Sequence, residues 1–375
     1  VAGNVTLTTD AGNGVINMGT LQQSAGDLIL VTNGNGAATV VNNAAIDFGT
    51  SNVGGALDVT ASAGTITQNG GALTVAGTSA FTTSTNDQAI TLSNTTNALT
   101  GAVAFTTGGT TGNVVIDNGT TGLDLAASTI SGTLTATGGA SAGIVDSGNV
   151  AVAGNVTLTT DAGNGVINMG TLQQSAGDLI LVTNGTGAAT VVNNAGIDFG
   201  TSNVGGALSA TASAGNITQN GGAITVAGTS SFILGANSAN VVLDHASNAF
   251  SGAVTLLAGA GGSQAFGNVT FVDDSAVKID ANADAAGDLY LNAGTDGAVG
   301  GNLAVTATTG NITQGVAVAV TGTSAFTTSA SDATITLGTT TNALGGTVAF
   351  TTAGTAGNVV IDNGTTGLDL AASTI

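Results

Sequence analysis

The sequence of 375 residues has no proline, cysteine or tryptophan, and Lys278 is its only lysine or arginine. All 21 acidic residues are aspartate, so glutamate is absent and the formal net charge is -20. A chain with one cation has almost nothing with which to neutralise phosphates, which excludes nucleic-acid binding. Because helices draw on Glu, Lys and Arg, the near absence of these residues also argues against a helical or α/β fold.

Long apolar runs are also missing. None reaches the ~18 residues that a membrane-spanning helix requires, and Val1 begins neither a Met start nor a signal segment. We therefore expect no membrane insertion, and we expect the chain to be a piece of something longer. The absence of cysteine means that the fold does not rely on disulfides. With 42% hydrophobic residues, the chain should fold.

Short alternating runs of Val, Ile, Leu and Thr fill the sequence, separated by Gly, Asn, Ser and Asp. Leu57 with Val59 and Ile90 with Leu92 are typical, and a period of two places one face of a strand in a core. The spacing predicts an all-β fold, a right-handed parallel β-helix (β-solenoid) with coils of about 20–24 residues. Such stacking explains why charges and proline are rare, since like charges would align and proline would break a ladder.

Two long internal repeats organise the chain. Residues 1–81 recur at 152–232 with seven differences, and residues 76–130 recur at 321–375 with eleven. The offsets, 151 and 245 residues, differ by 94. We therefore predict one continuous β-solenoid over 1–375, with a repeat unit 1–151 and an expanded unit 152–375. The expanded unit contains inserted coils at about 227–320 and is truncated at its C-terminus. Only whole coils are expected to fit without breaking the register.

One repeated pattern resembles a known family. It reads GGALDVTASAGTITQNGGALTVAG at 54–77, GGALSATASAGNITQNGGAITVAG at 205–228 and GGNLAVTATTGNITQ at 300–314. These segments resemble the repeats of filamentous-haemagglutinin-like and autotransporter-type bacterial giant adhesins, whose shafts are right-handed β-helices. The resemblance implies a non-catalytic shaft at the cell surface or outside the cell. It also implies that any cell-surface or carbohydrate ligands bind elsewhere in the full protein.

Catalytic patterns are weak. Lyases of this fold use Lys or Arg to neutralise a uronate, and hydrolases need two carboxylates in a cleft. Asp273 and Asp274 are adjacent, so on a strand they point to opposite faces, whereas in a turn they could converge. Asp244 and His245 replace a Ser-Asn pair of the first repeat, as expected of a turn substitution. We therefore predict that the protein is not an enzyme.

An acidic segment, DANADAAGD, is the sharpest chemical pattern. Oxygen ligands stand at positions 1, 3, 5 and 9, as at the start of a calcium loop; they are Asp280, Asn282, Asp284 and Asp288. Position 6 is Ala285 instead of Gly, and position 12 is Leu291 instead of Glu. Two interpretations follow, a solvated Asp-rich turn and a weak calcium site; no other cofactor is predicted. Lys278 should point outward and pair with Asp280 or with an aspartate stacked beside it on a neighbouring strand.

Three functions are consistent with these features. The first is the shaft of an adhesin-type fibre, and the second is a building block of a self-assembling extracellular filament or matrix. The third is a binding module, either calcium-dependent or ice-binding through threonine rows, such as Thr6 with Thr8 and Thr65 with Thr67. The expected partners are further repeats of the same polypeptide or identical subunits end to end. Residues 131–151 lead from the first repeat into the second, and Ile375 is the counterpart of Ile130, so we expect more of the same at both ends.

Overall fold

A computed structural model describes residues 1–139, 142–259, 264–292 and 298–375. The described chain is all-β, with parallel strands stacked in a β-solenoid of about 16 turns, and it contains no helix. The predicted fold class is confirmed. Within the same ranges, no helix has the length and apolar character needed to cross a membrane. The chain divides into two compact units, Val1–Val191 and Val192–Ile375.

The strands are short in both units. Those of the first unit are β1 (Val5–Thr8), β2 (Ile16–Leu21), β3 (Leu28–Val31), β4 (Ala38–Asn42), β5 (Ile46–Phe48), β6 (Ser51–Val53), β7 (Leu57–Ala61), β8 (Ile66–Gln68), β9 (Leu73–Val75), β10 (Ser79–Asn86), β11 (Ile90–Leu92), β12 (Ala98–Leu99), β13 (Val103–Gly108), β14 (Val114–Asp117), β15 (Leu123–Leu125), β16 (Ser128–Ile130), β17 (Leu134–Gly138), β18 (Ile144–Asp146), β19 (Val150–Val152), β20 (Val156–Thr160), β21 (Ile167–Gln174) and β22 (Leu179–Val182). β23 (Ala189–Asn193) spans the division between the units.

The second unit continues in the same style. Its strands are β24 (Ile197–Phe199), β25 (Ser202–Val204), β26 (Leu208–Ala212), β27 (Ile217–Gln219), β28 (Ile224–Val226), β29 (Ser230–Leu234), β30 (Val241–Leu243), β31 (Ala249–Phe250), β32 (Val254–Ala258), β33 (Val269–Asp273), β34 (Val277–Asp280), β35 (Asp288–Asn292), β36 (Ala298–Val299), β37 (Leu303–Ala307), β38 (Ile312–Gln314), β39 (Ala319–Val320), β40 (Ser324–Ser331), β41 (Ile335–Leu337), β42 (Ala343–Leu344), β43 (Thr347–Ala353), β44 (Val359–Ile361) and β45 (Asp369–Leu370).

Most coils have one long strand on one face and two short strands on the other. In β7, Leu57, Val59 and Ala61 are buried, while the residues between them face outward. The next face carries the short pair β8 and β9, in which Ile66 of β8 and Leu73 and Val75 of β9 are buried. The alternation found in the sequence is therefore the alternation between core and surface.

Coils of the first unit differ slightly in length. The shortest step pairs Ala38 with Leu57, and a long one pairs Ile90 with Val114. Counted along one face, seven steps lead from Val5 to Val156. The long repeat therefore contains seven coils, and its two copies begin on the same face.

The two faces of the first unit exchange roles along the chain. We name them face A, which holds β1, β3, β5, β6, β8, β9, β11, β12, β14, β17, β20 and β22, and face B, which holds the other strands. Face A begins with the single strands β1 and β3. From β4 to β13, face B has the long strands and face A the short pairs; from β14 to β22, face A has the long strands, and face B has the pairs β15–β16 and β18–β19 and then the continuous strand β21. The first unit therefore has two exchanges, the first between β3 and β4 and the second between β13 and β14. At the second exchange, the long strand β13 supports both short strands, since Val103 pairs with Leu125 and Thr106 with Thr129.

The second unit shows the same exchange. We name face C for the strands β26, β29, β32, β35, β34, β38, β41 and β44, and face D for β24, β25, β27, β28, β30, β31, β33, β37, β40, β43 and β45. β29 and β40 have similar sequences and start 94 residues apart, the length of the addition, yet β29 lies on face C and β40 on face D. The addition is therefore not a whole number of coils, and the expectation that only whole coils fit is wrong.

An extra strand, β35, accompanies this exchange. β32 pairs with β35, β35 with β34, and β34 with β38, so β35 is inserted out of chain order between β32 and β34. The connection 281–287 must lead from the end of β34 back to the start of the parallel strand β35. It is long enough, because a four-residue strand rises only about 13 Å and seven extended residues reach about 23 Å. This insertion explains why the step from Val269 to its partner Leu303 is longer than any step between coils of the first unit.

Phenylalanines stack inside both units. Phe81 lies between Phe48 and Phe105, with ring centroids 6.2 Å and 5.8 Å away, and all three rings are buried. In the second unit, Phe326 and Phe350 stack at 6.0 Å. Phe81 with Phe105, and Phe326 with Phe350, are register partners on successive coils, whereas Phe48 contacts Phe81 from the opposite face. These contacts concentrate apolar burial in a narrow core.

Candidate functional site

A buried asparagine closes the core at each exchange of faces in the first unit. At the second exchange, the Oδ1 atom of Asn118 accepts a hydrogen bond from the Leu99 amide (2.8 Å), and its Nδ2 atom donates to the Leu99 carbonyl (3.0 Å). Nδ2 also donates to the Gly122 carbonyl (2.8 Å). β12 lacks a short strand as its next partner, because β14 begins a series of long strands. The side-chain amide of Asn118 takes the place of the backbone of that missing partner.

Other exchanges use the same device. Asn42 bonds the backbone amide and carbonyl of Gln23 at 2.8 and 2.9 Å, and Asn363 bonds those of Leu344 at 2.8 and 3.2 Å. We call Asn42, Asn118 and Asn363 the boundary amides. Only an amide side chain offers one acceptor and two donors at once, which satisfies backbone groups that would otherwise be buried without partners.

Asp273 occupies the same place at the exchange in the second unit. Its Oδ1 atom accepts from the Phe250 amide at 2.9 Å, as Asn118 does from Leu99, and Ser275 donates its hydroxyl to Oδ2 at 2.6 Å. The side chain is buried, and burial raises the pKa of this carboxyl above its ordinary value. An ionised carboxylate has no proton to give to a carbonyl, so Asp273 provides only half of the boundary contact. Asp274 beside it is exposed, so the two carboxylates do not form a pair in a cleft.

The acidic segment forms the connection between β34 and β35. Lys278 forms a salt bridge with Asp280, and its Nζ atom is 3.9 Å from Oδ1 of the buried Asp288. The hydrogen bond from Lys278 holds the pKa of Asp280 below its ordinary value, and the same bond raises the pKa of Lys278. The predicted pairing of Lys278 with Asp280 is therefore confirmed, and Asp288 extends it.

The four predicted calcium ligands do not surround one point. Asn282 donates from Nδ2 to Asp284 at 2.9 Å, and both side chains are on the outer side of the connection. Asp288 instead accepts from the Ala285 amide at 2.8 Å, on the buried side of the connection. Within the described ranges, no group of three or more His, Asp, Glu or Cys side chains is placed to hold a metal ion. The ammonium group of Lys278 lies beside two of the four ligands, and the calcium site stays a prediction.

Asp244 and His245 lie in an exposed turn. The Nδ1 atom of His245 accepts a hydrogen bond from the Ser247 amide at 3.1 Å. In the first repeat, Oδ1 of Asn94 accepts from the Thr96 amide at 2.9 Å. The imidazole therefore reproduces the turn contact of the asparagine it replaces, as expected for a turn substitution.

Threonines form two outward rows that the sequence interpretation missed. Four successive coils of face B place threonines in register, namely Thr60, Thr82, Thr106 and Thr129. Four coils of face D do the same with Thr306, Thr327, Thr351 and Thr374. We call these rows the Thr ladders. The predicted row from Thr6 does not continue, because Ile29 follows it, and Thr67 bonds Asp47 at 3.0 Å.

Comparison with known families finds repeats that start close to the exchanges of faces. A family model described as repeats of unknown function (DUF5649) matches residues 34–106, 111–185, 186–257 and 266–351, well over half of the chain. The chain belongs to this family. The first two matches, 34–106 and 111–185, together span about one length of the long repeat seen in the sequence, so each of them is about half of it. No curated protein and no solved structure matches the chain.

The DUF5649 repeats coincide with the exchange of faces. Repeats start at 34, 111 and 266, where the long strands change to the other face of their unit. Asn42, Asn118 and Asp273 each follow shortly after such a start. Asn193 has the same place in the remaining repeat, is buried, and donates to the Gly196 carbonyl at 2.7 Å. One DUF5649 repeat is thus three and a half coils with a boundary residue near its start.

Proposed function

We propose that the chain is a structural shaft of a large secreted or cell-surface bacterial repeat protein, an adhesin-type fibre without catalytic activity. The observation that carries this proposal is that the DUF5649 repeat is three and a half coils long, not a whole number of coils. Each DUF5649 repeat is three and a half coils long, so the repeat that follows it begins on the opposite face, and Asn or Asp closes the boundary. Any repeat can therefore follow any other. A chain built this way extends by addition of repeats, which is what a spacer requires.

The outer surface supports the same proposal. Aspartates on the turns bind backbone amides of the next coil; Asp87, for example, accepts from the Thr110 and Thr111 amides at 2.7 and 2.8 Å. These hydrogen bonds lower the pKa of Asp87, so its charge is retained in mild acid. The charges therefore hold turns together and give a net negative surface, which keeps a long exposed chain soluble.

Imaging tests the location and the form. Antibodies raised against the chain should label thin fibres that project from unfixed cells in negative-stain electron microscopy. The denatured mass of the shed material should exceed 35.1 kDa, because the repeats would belong to a longer polypeptide. Label confined to the cytoplasm would refute the proposal. Fibres that dissolve into chains near 35.1 kDa would favour the second candidate, a self-assembling extracellular filament or matrix.

The Thr ladders favour a third, less supported candidate, an ice-binding face. Their hydroxyl groups repeat at the spacing of stacked strands, about 4.8 Å. Each ladder is a single row, flanked on face B by Ala80 and Ala104. Thermal hysteresis of the purified chain tests this function. Thr106→Tyr should abolish the activity if the ladder binds ice, whereas Thr91→Tyr, on face A, serves as the matched control.

A further inference from the structure

Nine asparagines of the chain are followed directly by glycine, a pairing with a chemistry of its own. They are Asn13, Asn33, Asn35, Asn69, Asn118, Asn164, Asn184, Asn220 and Asn363. The backbone nitrogen of the residue after an asparagine can attack the side-chain carbonyl carbon Cγ, and glycine has no Cβ to obstruct this approach. The dipeptide is the same at all nine places, so large differences in reactivity among them must come from the fold.

The reaction changes one peptide unit in two steps. In the first, a C–N bond forms between Cγ and the glycine nitrogen, and the side-chain nitrogen leaves as ammonia, which gives a cyclic succinimide. In the second, water adds to either carbonyl of the ring and opens it to aspartate or to isoaspartate. Water is the only co-reactant, no electrons are transferred, and the chain is not cut. Each event replaces a neutral amide by a carboxylate.

Three of the nine pairs have both reacting groups free. Asn33, Asn184 and Asn220 are exposed, and their side chains make no hydrogen bond within the described part of the chain. The amides of the glycines that follow them lie in turns and also make none there. The nitrogen that attacks and the carbon that it attacks are therefore both unhindered by partners, and water reaches the ring.

Asn118 has the same dipeptide in the opposite environment. Its side chain is buried, and its hydrogen bonds to both backbone groups of Leu99 and to the Gly122 carbonyl fix the position of Cγ. The attacking nitrogen is also engaged, since the Gly119 amide donates to Oδ1 of Asp117 at 2.8 Å. Ring closure at this boundary amide therefore requires that several hydrogen bonds break first.

Asn363 shows the same protection in the second unit. It is buried, it bonds both backbone groups of Leu344, and the Gly364 amide donates to Oδ1 of Asp362 at 2.8 Å. The arrangement around Asn118 is thus a recurring one. In both places the fold binds the side chain and the attacking nitrogen of a reactive dipeptide at once.

We propose that Asn33, Asn184 and Asn220 are sites of spontaneous deamidation in the folded protein, and that the fold keeps the boundary amides intact. The chain then gains negative charge on exposed turns as it ages, while its core stays closed. A boundary that opens long enough to react cannot close as before, because the carboxylate formed there has no proton to donate to the backbone carbonyl. This inference stands independently of the adhesin proposal.

Peptide mapping by mass spectrometry of the whole purified chain, incubated for weeks at neutral pH, tests the proposal. Digestion with pepsin at acid pH, where ring closure is slow, reports each site by the mass gained when an amide becomes a carboxyl group. Asn118 should react more slowly than Asn33 by roughly a hundredfold or more, the factor expected when three hydrogen bonds must break first. Asn184, whose surroundings repeat those of Asn33, should react at the rate of Asn33.

A reference and a variant complete the design. In guanidinium chloride all of these sites should react at similar rates, because the fold no longer separates them. No atom lies within 4 Å of the place that a Cβ on Gly221 would take, so Gly221→Ala should leave the fold intact and slow the reaction at Asn220 but not at Asn184. Equal rates at Asn118 and Asn33 in the folded chain would overturn the proposal. So would a difference that persists in denaturant, or exposed sites that react when unfolded and not when folded.

Discussion

Replacing Asp273 by asparagine should stabilise the protein at neutral pH. Asn118 bonds both the backbone amide and the backbone carbonyl of Leu99. Asp273 bonds the backbone amide of Phe250 but not its carbonyl. Asp273→Asn supplies the missing donor and removes a charge from a buried site. One recovered hydrogen bond and the relief of a buried ionised group together contribute about 1–3 kcal/mol.

The effect should depend on pH, and the sign follows from the raised pKa of Asp273. Below the ordinary pKa of 3.8, the carboxyl is protonated in both the folded and unfolded states, and its burial carries no charge penalty. The penalty appears as the pH rises from there through the raised folded pKa and is complete above it. The advantage of Asp273→Asn should therefore be largest at neutral pH and shrink as the pH falls to the ordinary pKa.

Urea unfolding and hydrogen exchange measure this. Because repeat proteins often unfold in parts, exchange of the Phe250 amide gives the local free energy of opening, and far-UV circular dichroism gives the overall transition. Asn118→Asp is the matched control and should destabilise the second exchange of the first unit by a similar amount. Equal or lower stability of Asp273→Asn at neutral pH, or a difference that does not change with pH, would refute the reasoning.

Three further predictions concern other contacts. Phe81→Ala should lower the free energy of unfolding by about 3–5 kcal/mol, because the ring is buried between Phe48 and Phe105. The control Thr82→Ala, at an outward position, should change it by less than about 0.5 kcal/mol. Chemical denaturation measures both, and similar losses in the two variants would contradict the stacked core. The lowered pKa of Asp87 means that its contribution to stability is present above pH 3.8 and is lost as the pH falls through the lower folded pKa. Asp87→Ala should therefore speed exchange of the Thr110 and Thr111 amides near neutral pH, but not at the lowest pH where the chain stays folded. Lys278→Gln removes the ammonium group beside Asp280 and Asp288, so calorimetric titration should find tighter calcium binding than in the native chain; if neither binds, the segment is a solvated turn.

The repeating core could be predicted from the sequence because each strand carries its own signal. Leu57 and Val59 alternate with outward residues, and the offset between the two long repeats contains a whole number of coils. The exchange of faces could not be predicted in the same way, because it depends on which strand pairs with which, and long and short strands share one alternation. The recurring asparagines at 42, 118 and 193 are its sequence signal, hidden among the many asparagines of turns.

The candidate sites were harder to predict for a related reason. Four oxygen ligands in DANADAAGD fit a calcium loop in spacing, but the extra strand β35 buries Asp288 while Asn282 and Asp284 remain outside. That strand is inserted out of chain order, which no local pattern indicates. The Thr ladder of face B has a detectable sequence signal, because its threonines recur at nearly even steps along the chain, although a row across coils is harder to recognise than two threonines within one strand.

The length of the DUF5649 repeat, three and a half coils, has a consequence for how such chains change length. Unequal recombination between the nearly identical segments 1–81 and 152–232 would delete or duplicate one long repeat, which is seven coils, and every strand would return to its original face. Loss of a single DUF5649 repeat would instead reverse the faces, and the Asn or Asp at the new junction would still close the core. Both events leave a stackable product, so the length of the protein can vary between generations without a loss of fold.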